Sequence, residues 1–388
     1  MTENMTVVPT WAEINLDNIK YNLNNIKGLL KENTKICGVV KANAYGHGSI
    51  QISKLLEREK VDYLAVSRLE EGIELRQNNI TLPILCLGYI PDEALIDGIT
   101  NRISLTVYSY EVAKKINDIS KQLNLTSNIH IKIDTGMSRI GFKANMNSVN
   151  DILEISKLSN IKIEGIYTHF STADEINKEF TYEQIQKYNK VTDELERLGV
   201  QIPIKHVSNS AAIMDLKDID YNMVRCGIIL YGHYPSDEVK KEKLKLKPAM
   251  TLKTRISHIK EIETNTSVSY GRKYISKEKE RIITLPIGYA DGFTRMQSNP
   301  KVYIKGQAFD IVGSICMDQC MAKIYGNIDI KIGDEVIIFS ETENESIENI
   351  SNDLKTINYE VLCMISRRVE RVYMERNAIL QRCSYLVK

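Results

Sequence analysis

The sequence predicts an α/β protein in two parts: an N-terminal (β/α)8 TIM-type barrel over residues 1–244, then a mainly β domain over 245–388. Three features carry that prediction. Short apolar, β-rich runs alternate with helical-period stretches eight times in the first part. Near residue 245 the alternation gives way to strand-like runs broken by Gly, Asn and Pro. Polar side chains of catalytic type recur directly after the apolar runs, on what would be one rim of a parallel barrel.

The eight runs are KICGVV (35–40), VDYLAV (61–66), LPILCL (82–87), ISLTV (103–107), IHIKI (129–133), IKIEGIYT (161–168), PIKHV (203–207) and NMVRCGIIL (222–230). Between them lie SIQISKLLERE, SRLEEGIELRQ, YEVAKKINDISKQL and YEQIQKYNKVTDELERLG, each with apolar residues near i, i+3, i+4 and i+7. A doubly wound open sheet shows the same alternation, so periodicity leaves it open. The missing G-x-G-x-x-G loop after the first run counts against it. The second part reads as MTLKTRISHIKEI, RIITLPIGYA, KVYIKG, FDIVGSICMDQCMAKI and DEVIIF, with one helix near SIENISNDLKT. The Lys-rich EVKKEKLKLKP is the surface linker between the parts.

Composition narrows the function classes. A net charge of +1 provides no field to gather nucleic acid or an anionic membrane. The N-terminal MTENMTVVPTWAEINLD lacks a basic region followed by an apolar core, and no apolar run approaches the roughly 20 residues of a membrane span. The expectation is a soluble cytoplasmic protein. Its seven cysteines, an odd and scattered set, read as free thiols; Cys316 and Cys320 have no second pair nearby to complete a zinc site.

The ends of the runs hold the candidate chemistry. Lys41 follows the first; Lys132, Asp134 and Arg139 accompany the fifth; His169 follows the sixth; Ser208 and Ser210 follow the seventh; Arg225 lies on the eighth. A lysine closing an apolar strand loses solvation, which lowers its pKa and suits a Schiff base or a proton transfer. Its bland reading is a surface lysine with a buried stem.

The motif around Lys41, VVKANAYGHG, resembles the active-lysine segment of the fold-type III, alanine racemase-like enzymes that use pyridoxal 5′-phosphate (PLP). The resemblance continues in order through IDTGMSRIGF, THFSTADE, NSAA, MVRCGIILYG, SVSYGRKY, PIGYADGF, GSICMDQCM and TINYEV, nearly the whole chain. It implies a PLP-binding (β/α)8 barrel, a β-rich second domain, and a head-to-tail homodimer in which that domain contributes to the partner subunit's active site.

Residue by residue, the resemblance implies PLP on Lys41, with its phosphate held by Tyr45, Ser210, Tyr359 and the backbone amides of Gly227 and Ile228. Arg225 would face the pyridine nitrogen. Lys41 and Tyr270 would be the two opposed bases, with His169 hydrogen-bonded to Tyr270. Arg139 and the backbone amide of Met317 of the partner subunit would hold the substrate carboxylate, and Arg139 the PLP phenolic oxygen. Lys132 matches a position carbamylated in some members. Asp174, Tyr289, Arg295 and Asp318 would line the entry, with Tyr289 and Tyr359 narrowing the pocket to a methyl-sized side chain. One departure stands at Ser314, where close relatives often carry a longer basic residue at the outer gate.

The activity implied is interconversion of L- and D-alanine for peptidoglycan synthesis. A serine or broad-specificity racemase shares the same bases and stays open. A decarboxylase of this fold type would show a glycine triplet for the phosphate, which this chain lacks. A PLP carrier protein would lack the C-terminal β domain.

Overall fold

The computed structural model describes residues 8–217, 219 and 221–386; the first seven residues of the N-terminal stretch read for a leader pattern lie outside the described residues. The chain folds as two compact units. Among the described residues, one comprises 20–44 and 48–246, the other 8–19, 45–47 and 247–386.

The first unit is a barrel. Its strands are Lys35–Val39, Tyr63–Val66, Ile84–Cys86, Ser104–Val107, Ser127–Asp134, Ile161–Tyr167, Ile204–His206 and Met223–Cys226, one in each of the eight apolar runs. The first seven pair successively in parallel, and the eighth pairs in parallel with the first. Between the seventh and eighth, Asn222 N–H donates to Lys205 O (3.1 Å) and Arg225 N–H to Ser208 O (3.0 Å), so the ring is nearly closed. This closure excludes the open doubly wound sheet.

The intervening helices follow the sequence periodicity. Ser49–Arg58 buries Ile52, Leu55 and Leu56 on one face. Tyr110–Gln122 starts where the Ser109 side chain accepts from Val112 N, and Glu179–Arg197 covers the longest helical stretch. The eighth run departs from the expectation. Its strand stops at Cys226, and Ile228–Tyr231 winds into a 3-10 turn, because Gly227 adopts φ −103°, ψ −113°, outside the strand basin.

The second unit is built on a seven-stranded sheet in the order Gln307–Asp310, Lys301–Ile304, Glu335–Phe339, Met250–Arg255, Thr10–Asn15, Glu370–Glu375 and Ala378–Cys383. The chain's first strand therefore lies inside this sheet, antiparallel to Met250–Arg255 and parallel to Glu370–Glu375. Both faces of TWAEIN are largely covered there, with Trp11, Ala12 and Ile14 buried. A three-stranded sheet (His258–Ile262, Glu280–Leu285, Cys320–Ile324) and a short hairpin (Ser267–Val268, Tyr274–Ile275) complete the β structure. Helices Ile347–Leu354 and Asn358–Met364 occupy the SIENISNDLKT and NYEV regions.

Residues 45–47 belong to this unit for a visible reason. The fully buried Arg371 donates from Nε to Gly46 O (3.0 Å), and Tyr373 OH donates to His47 O (3.1 Å). No helix among the described residues is long and apolar enough to cross a membrane.

Candidate active site

Lys41 is half-buried and immediately follows the first barrel strand. It opens a short segment, Lys41–Tyr45, wound with left-handed dihedrals: Ala42 (φ 52°, ψ 50°), Asn43 (55°, 44°), Ala44 (53°, 52°) and Tyr45 (φ 52°). Such a conformation costs L-residues roughly 1–2 kcal/mol each, so the surroundings must hold it. Glu71 accepts from Ala42 N–H (2.6 Å) with one carboxylate oxygen and from Ser67 and Arg68 N–H (2.8 and 3.1 Å) with the other. The Asn43 side chain accepts from Ser49 N–H (3.0 Å), tying the turn to the next helix.

Arg225 sits buried at the end of the eighth strand. Its Nη1 donates to His206 Nδ1 and His206 O (both 3.0 Å); its Nη2 donates to Thr168 O (2.8 Å), Val207 O (3.1 Å) and His169 Nδ1 (3.2 Å). Guanidinium only donates, so His169 Nδ1 is the acceptor and its proton sits on Nε2. Burial, then the charges of Arg225, Arg139, Lys132 and Lys41, hold this ring well below the usual histidine pKa. It is a neutral imidazole among cations.

Lys132 points into the same neighbourhood, buried, with Nζ 5.2 Å from the centre of the Tyr167 ring and donating to Ile133 O (2.9 Å). Burial lowers its pKa to about 7; Arg225 and Arg139 add to the fall, and Asp134 opposes it. Arg139 is exposed on the loop that follows, where Asp134 accepts from Gly136 and Ser138 N–H (both 3.0 Å). Ser210 starts a short helix capped by Asn209, and its Oγ accepts from Gly227 N–H (3.1 Å). Strand ends seven and eight thus present a hydroxyl and a turn of backbone amides, Ile228 heading the 3-10 turn. Asp174 lies in the loop after the sixth strand, its carbonyl accepting from Ser236 Oγ (2.6 Å).

The barrel therefore brings Lys41, Lys132, Arg139, His169, Ser210, Arg225, Gly227 and Ile228 to its C-terminal rim. Three residues of this neighbourhood escaped the sequence reading: His130, His206 and Glu164. They lie inside runs read only as apolar strands, and the available signal was a histidine inside IHIKI and PIKHV.

The remaining candidates lie on the second unit. Tyr45 and Tyr359 place their rings 6.0 Å apart, tilted by 52°. Tyr270 stands 71% exposed on a tight loop whose neighbours Ser269, Gly271 and Arg272 all have positive φ. Met317 (53% exposed) and Tyr289 (40% exposed) are bound together through backbone: Ala290 N–H donates to Met317 O (3.0 Å), and Tyr289 N–H to Cys316 O (3.1 Å). That approach requires glycine at 288, where a Cβ would meet both the Cys316 and Met317 carbonyl oxygens at 2.3 Å.

Asp318 pairs with Arg368 (2.8 Å), which also pairs with Asp291 (3.0 Å), and Arg295 is exposed. Ser314 is buried; its Oγ donates to Tyr270 O (3.3 Å), and its carbonyl accepts from Ser269 Oγ (2.5 Å). At this position the short side chain braces the Tyr270 loop.

The barrel rim offers a primary amine at one strand end, hydroxyl and amide donors at two others, and a guanidinium between them. That donor set suits a phosphorylated, carbonyl-bearing aromatic ring: amine for the carbonyl, neutral donors for the phosphate, a permanent donor for a ring nitrogen.

Comparison with known proteins agrees. A family model described as "Alanine racemase, N-terminal domain" matches residues 14–235, and one described as "Alanine racemase, C-terminal domain" matches residues 249–373. The chain is similar to the alanine racemase of Methanococcus maripaludis, 49% identical over 368 residues covering 94% of this chain and 99% of that protein. The alanine racemase of Clostridium perfringens (strain SM101 / Type A) is 48% identical, covering 98% of this chain and 99% of that one. Among solved structures, alanine racemase of Clostridium difficile 630 superimposes with TM-score 0.97 at 63% identity, covering 98% of this chain and 100% of that chain. Alanine racemase of Bacillus anthracis with bound L-Ala-P gives TM-score 0.92 at 33% identity, covering 98% of each.

Proposed function

The chain belongs to the alanine racemase family, and from that membership we propose that it is a PLP-dependent isomerase interconverting L- and D-alanine by two opposed bases. The observation that carries the reading is the rim around Arg225: a lysine, a neutral histidine and neutral phosphate donors gathered about a guanidinium.

Lys41 would bind PLP covalently, Ser210 and the amides of Gly227 and Ile228 its phosphate, and Arg225 its ring nitrogen. For Tyr45 and Tyr359 the phosphate role rests on the family resemblance. Bound there, PLP supplies a conjugated electron sink that acidifies the substrate Cα–H. Arg225 donates a hydrogen bond without surrendering a proton, so it keeps that sink weak and favours return of the proton to Cα over its loss elsewhere.

Racemisation needs a proton removed from one face and delivered to the other. Lys41 serves one face, and Tyr270 of the partner subunit serves the other. His169 fits the supporting role because its Nε2–H is free of the Arg225 bond and can donate to a tyrosinate oxygen. Arg139 and the backbone amide of Met317 of the partner subunit orient the substrate carboxylate. Asp174, Tyr289, Arg295 and Asp318 line the approach, and Tyr289 with Tyr359 restricts the side chain to a methyl group.

Exposure of Tyr270, Met317 and Tyr289 supports a homodimer: large side chains left open on one unit fit an interface between two copies. The depressed pKa of Lys132 supports its carbamylation, since only the neutral amine attacks carbon dioxide; the carbamate would put an anion beside Arg139. The setting proposed is cytoplasmic supply of D-alanine for peptidoglycan.

The test is D-alanine formation from L-alanine by purified, PLP-loaded protein, with L-serine in parallel. Faster alanine turnover, reaching an equimolar mixture from either enantiomer, is expected. Faster serine turnover would overturn the specificity and keep the mechanism; turnover of neither would overturn the reading.

A further inference from the structure

Arg225 is buried, and every acceptor it touches is uncharged: two imidazole nitrogens and three carbonyl oxygens. A buried guanidinium without an adjacent carboxylate requires a counter-charge elsewhere. Following the hydrogen bonds away from the rim locates it. His206 Nε2 lies 2.9 Å from His130 Nδ1, and His130 Nε2 lies 3.3 Å from Glu164 Oε2. Both rings are completely buried.

The direction of each bond in this chain is forced. Arg225 only donates, so His206 Nδ1 accepts, and the His206 proton sits on Nε2. That proton is donated to His130 Nδ1, so the His130 proton sits on Nε2 as well. It is donated in turn to Glu164, which accepts as a carboxylate. The other tautomer on either ring would set two donors or two acceptors face to face, and the hydrogen bonds from His130, Ser104 and Tyr63 hold the Glu164 pKa down against burial, which keeps it a carboxylate.

The backbone is shaped to permit this arrangement. The pairing of the fifth and sixth strands shifts register between Ile129 and His130, so Glu164 is the extra residue of a bulge, which re-aims a side chain. The next residue is Gly165, where a Cβ would lie 2.3 Å from His130 Nδ1. Tyr167 stacks on His206 at 4.7 Å and 9°. Glu164 also accepts from Ser104 Oγ (2.9 Å), Asn128 Nδ2 (3.2 Å) and the Tyr63 hydroxyl, which fixes its orientation.

We propose that Glu164 is a positioning residue that, through the Nε2–H tautomers of His130 and His206, supplies the counter-charge of Arg225 and fixes the orientation of its guanidinium at the rim. This rests on the racemase reading for its catalytic consequence, though not for its tautomers. The charged groups facing the two rings are Glu164 on one side and Arg225 and Lys132 on the other. Burial first, and then the Arg225 charge, disfavour a positive charge on either ring, in keeping with the lowered pKa of both histidines.

The first experiment needs no turnover: side-chain 15N NMR of the intact wild-type chain, with histidine signals assigned by single substitution. His130 and His206 are expected as neutral Nε2–H tautomers from about pH 6 to 8, near and above the ordinary histidine value. An Nδ1–H signal from either ring, or a titration in that window, overturns the proposal.

The second uses PLP-loaded Glu164→Leu and Glu164→Gln. Leucine removes the acceptor of the His130 Nε2–H while Arg225 still fixes both tautomers, so the His130 15Nε2 signal should move upfield as its hydrogen bond is lost. It should also lower kcat roughly ten- to a hundredfold, with KM held within about twofold. Glutamine, which retains an acceptor oxygen, should restore that signal and part of the rate. A leucine variant whose kcat stays within about twofold of wild type, or whose His130 15Nε2 signal does not move, overturns the proposal. A wild-type chain with the expected ring signals and no racemase activity would sink the function reading and leave the tautomer assignment standing.

Discussion

Around Arg225 the barrel buries polar groups and satisfies them one by one, with three carbonyls, three imidazoles and a remote carboxylate in a single network. Around Tyr270 the second unit does the opposite, leaving Tyr270, Met317 and Tyr289 between 40% and 71% exposed on a braced loop and turn. The first region is preorganised within one chain. The second leaves large side chains open, which the proposed dimer would cover. The contrast separates what substitutions should damage: stability in the buried network, activity alone on the exposed loop.

The largest effects should fall on the two bases. Lys41→Ala should abolish racemisation and covalent PLP binding together, read as loss of the bound cofactor's absorbance. Tyr270→Phe should lower kcat by about 10²- to 10⁴-fold while that absorbance stays. Its thermal midpoint should barely move, because an exposed ring contributes within about 0.5 kcal/mol. A Tyr270→Phe protein with full activity would break the comparison at its exposed end.

Arg225→Ala should sharpen it at the buried end. The substitution strands buried acceptors on His206, Thr168, Val207 and His169, which costs about 3 kcal/mol or more, measurable as a shifted urea midpoint. Acid titration should give a smaller signal from the same region. Burial depresses the pKa of His130 and His206, so below the ordinary value near 6.5 the unfolded chain binds protons that the folded chain refuses. Stability should therefore be full above pH 6.5 and fall as pH drops, by up to about 1.4 kcal/mol per pH unit for each ring. Flat stability between pH 7 and 5 would contradict neutral, buried rings. The smallest expected effect concerns Lys132, whose carbamate should appear as an added carbon dioxide in the native mass and vanish on acidification; an unmodified lysine would end that proposal.

The barrel was legible because each strand is an apolar run and each helix repeats with a helical period, both local signals. Lys41, His169, Ser210 and Arg225 were legible because strand ends project onto one rim. The chain's first strand was harder to place. TWAEIN pairs with partners more than 230 residues away, and nothing local announces which sheet it joins. Glu164 and Gly165 stayed hidden for a related reason: a bulge is a property of two paired strands, so neither sequence alone records it. The bracing role of Ser314 depends on a carbonyl at Tyr270, 44 residues earlier in the chain.

In the proposed dimer each site joins the barrel of one chain to the exposed loop of another. Mixing two inactive proteins tests it: Lys41→Ala, which keeps Tyr270, and Tyr270→Phe, which keeps Lys41. Random pairing after dissociation makes half the dimers mixed, and each mixed dimer carries one intact site, so about a quarter of wild-type alanine racemisation should return. If the mixture stays as inactive as its components while mixed dimers form, the two bases belong to the same chain and the shared-site account is wrong.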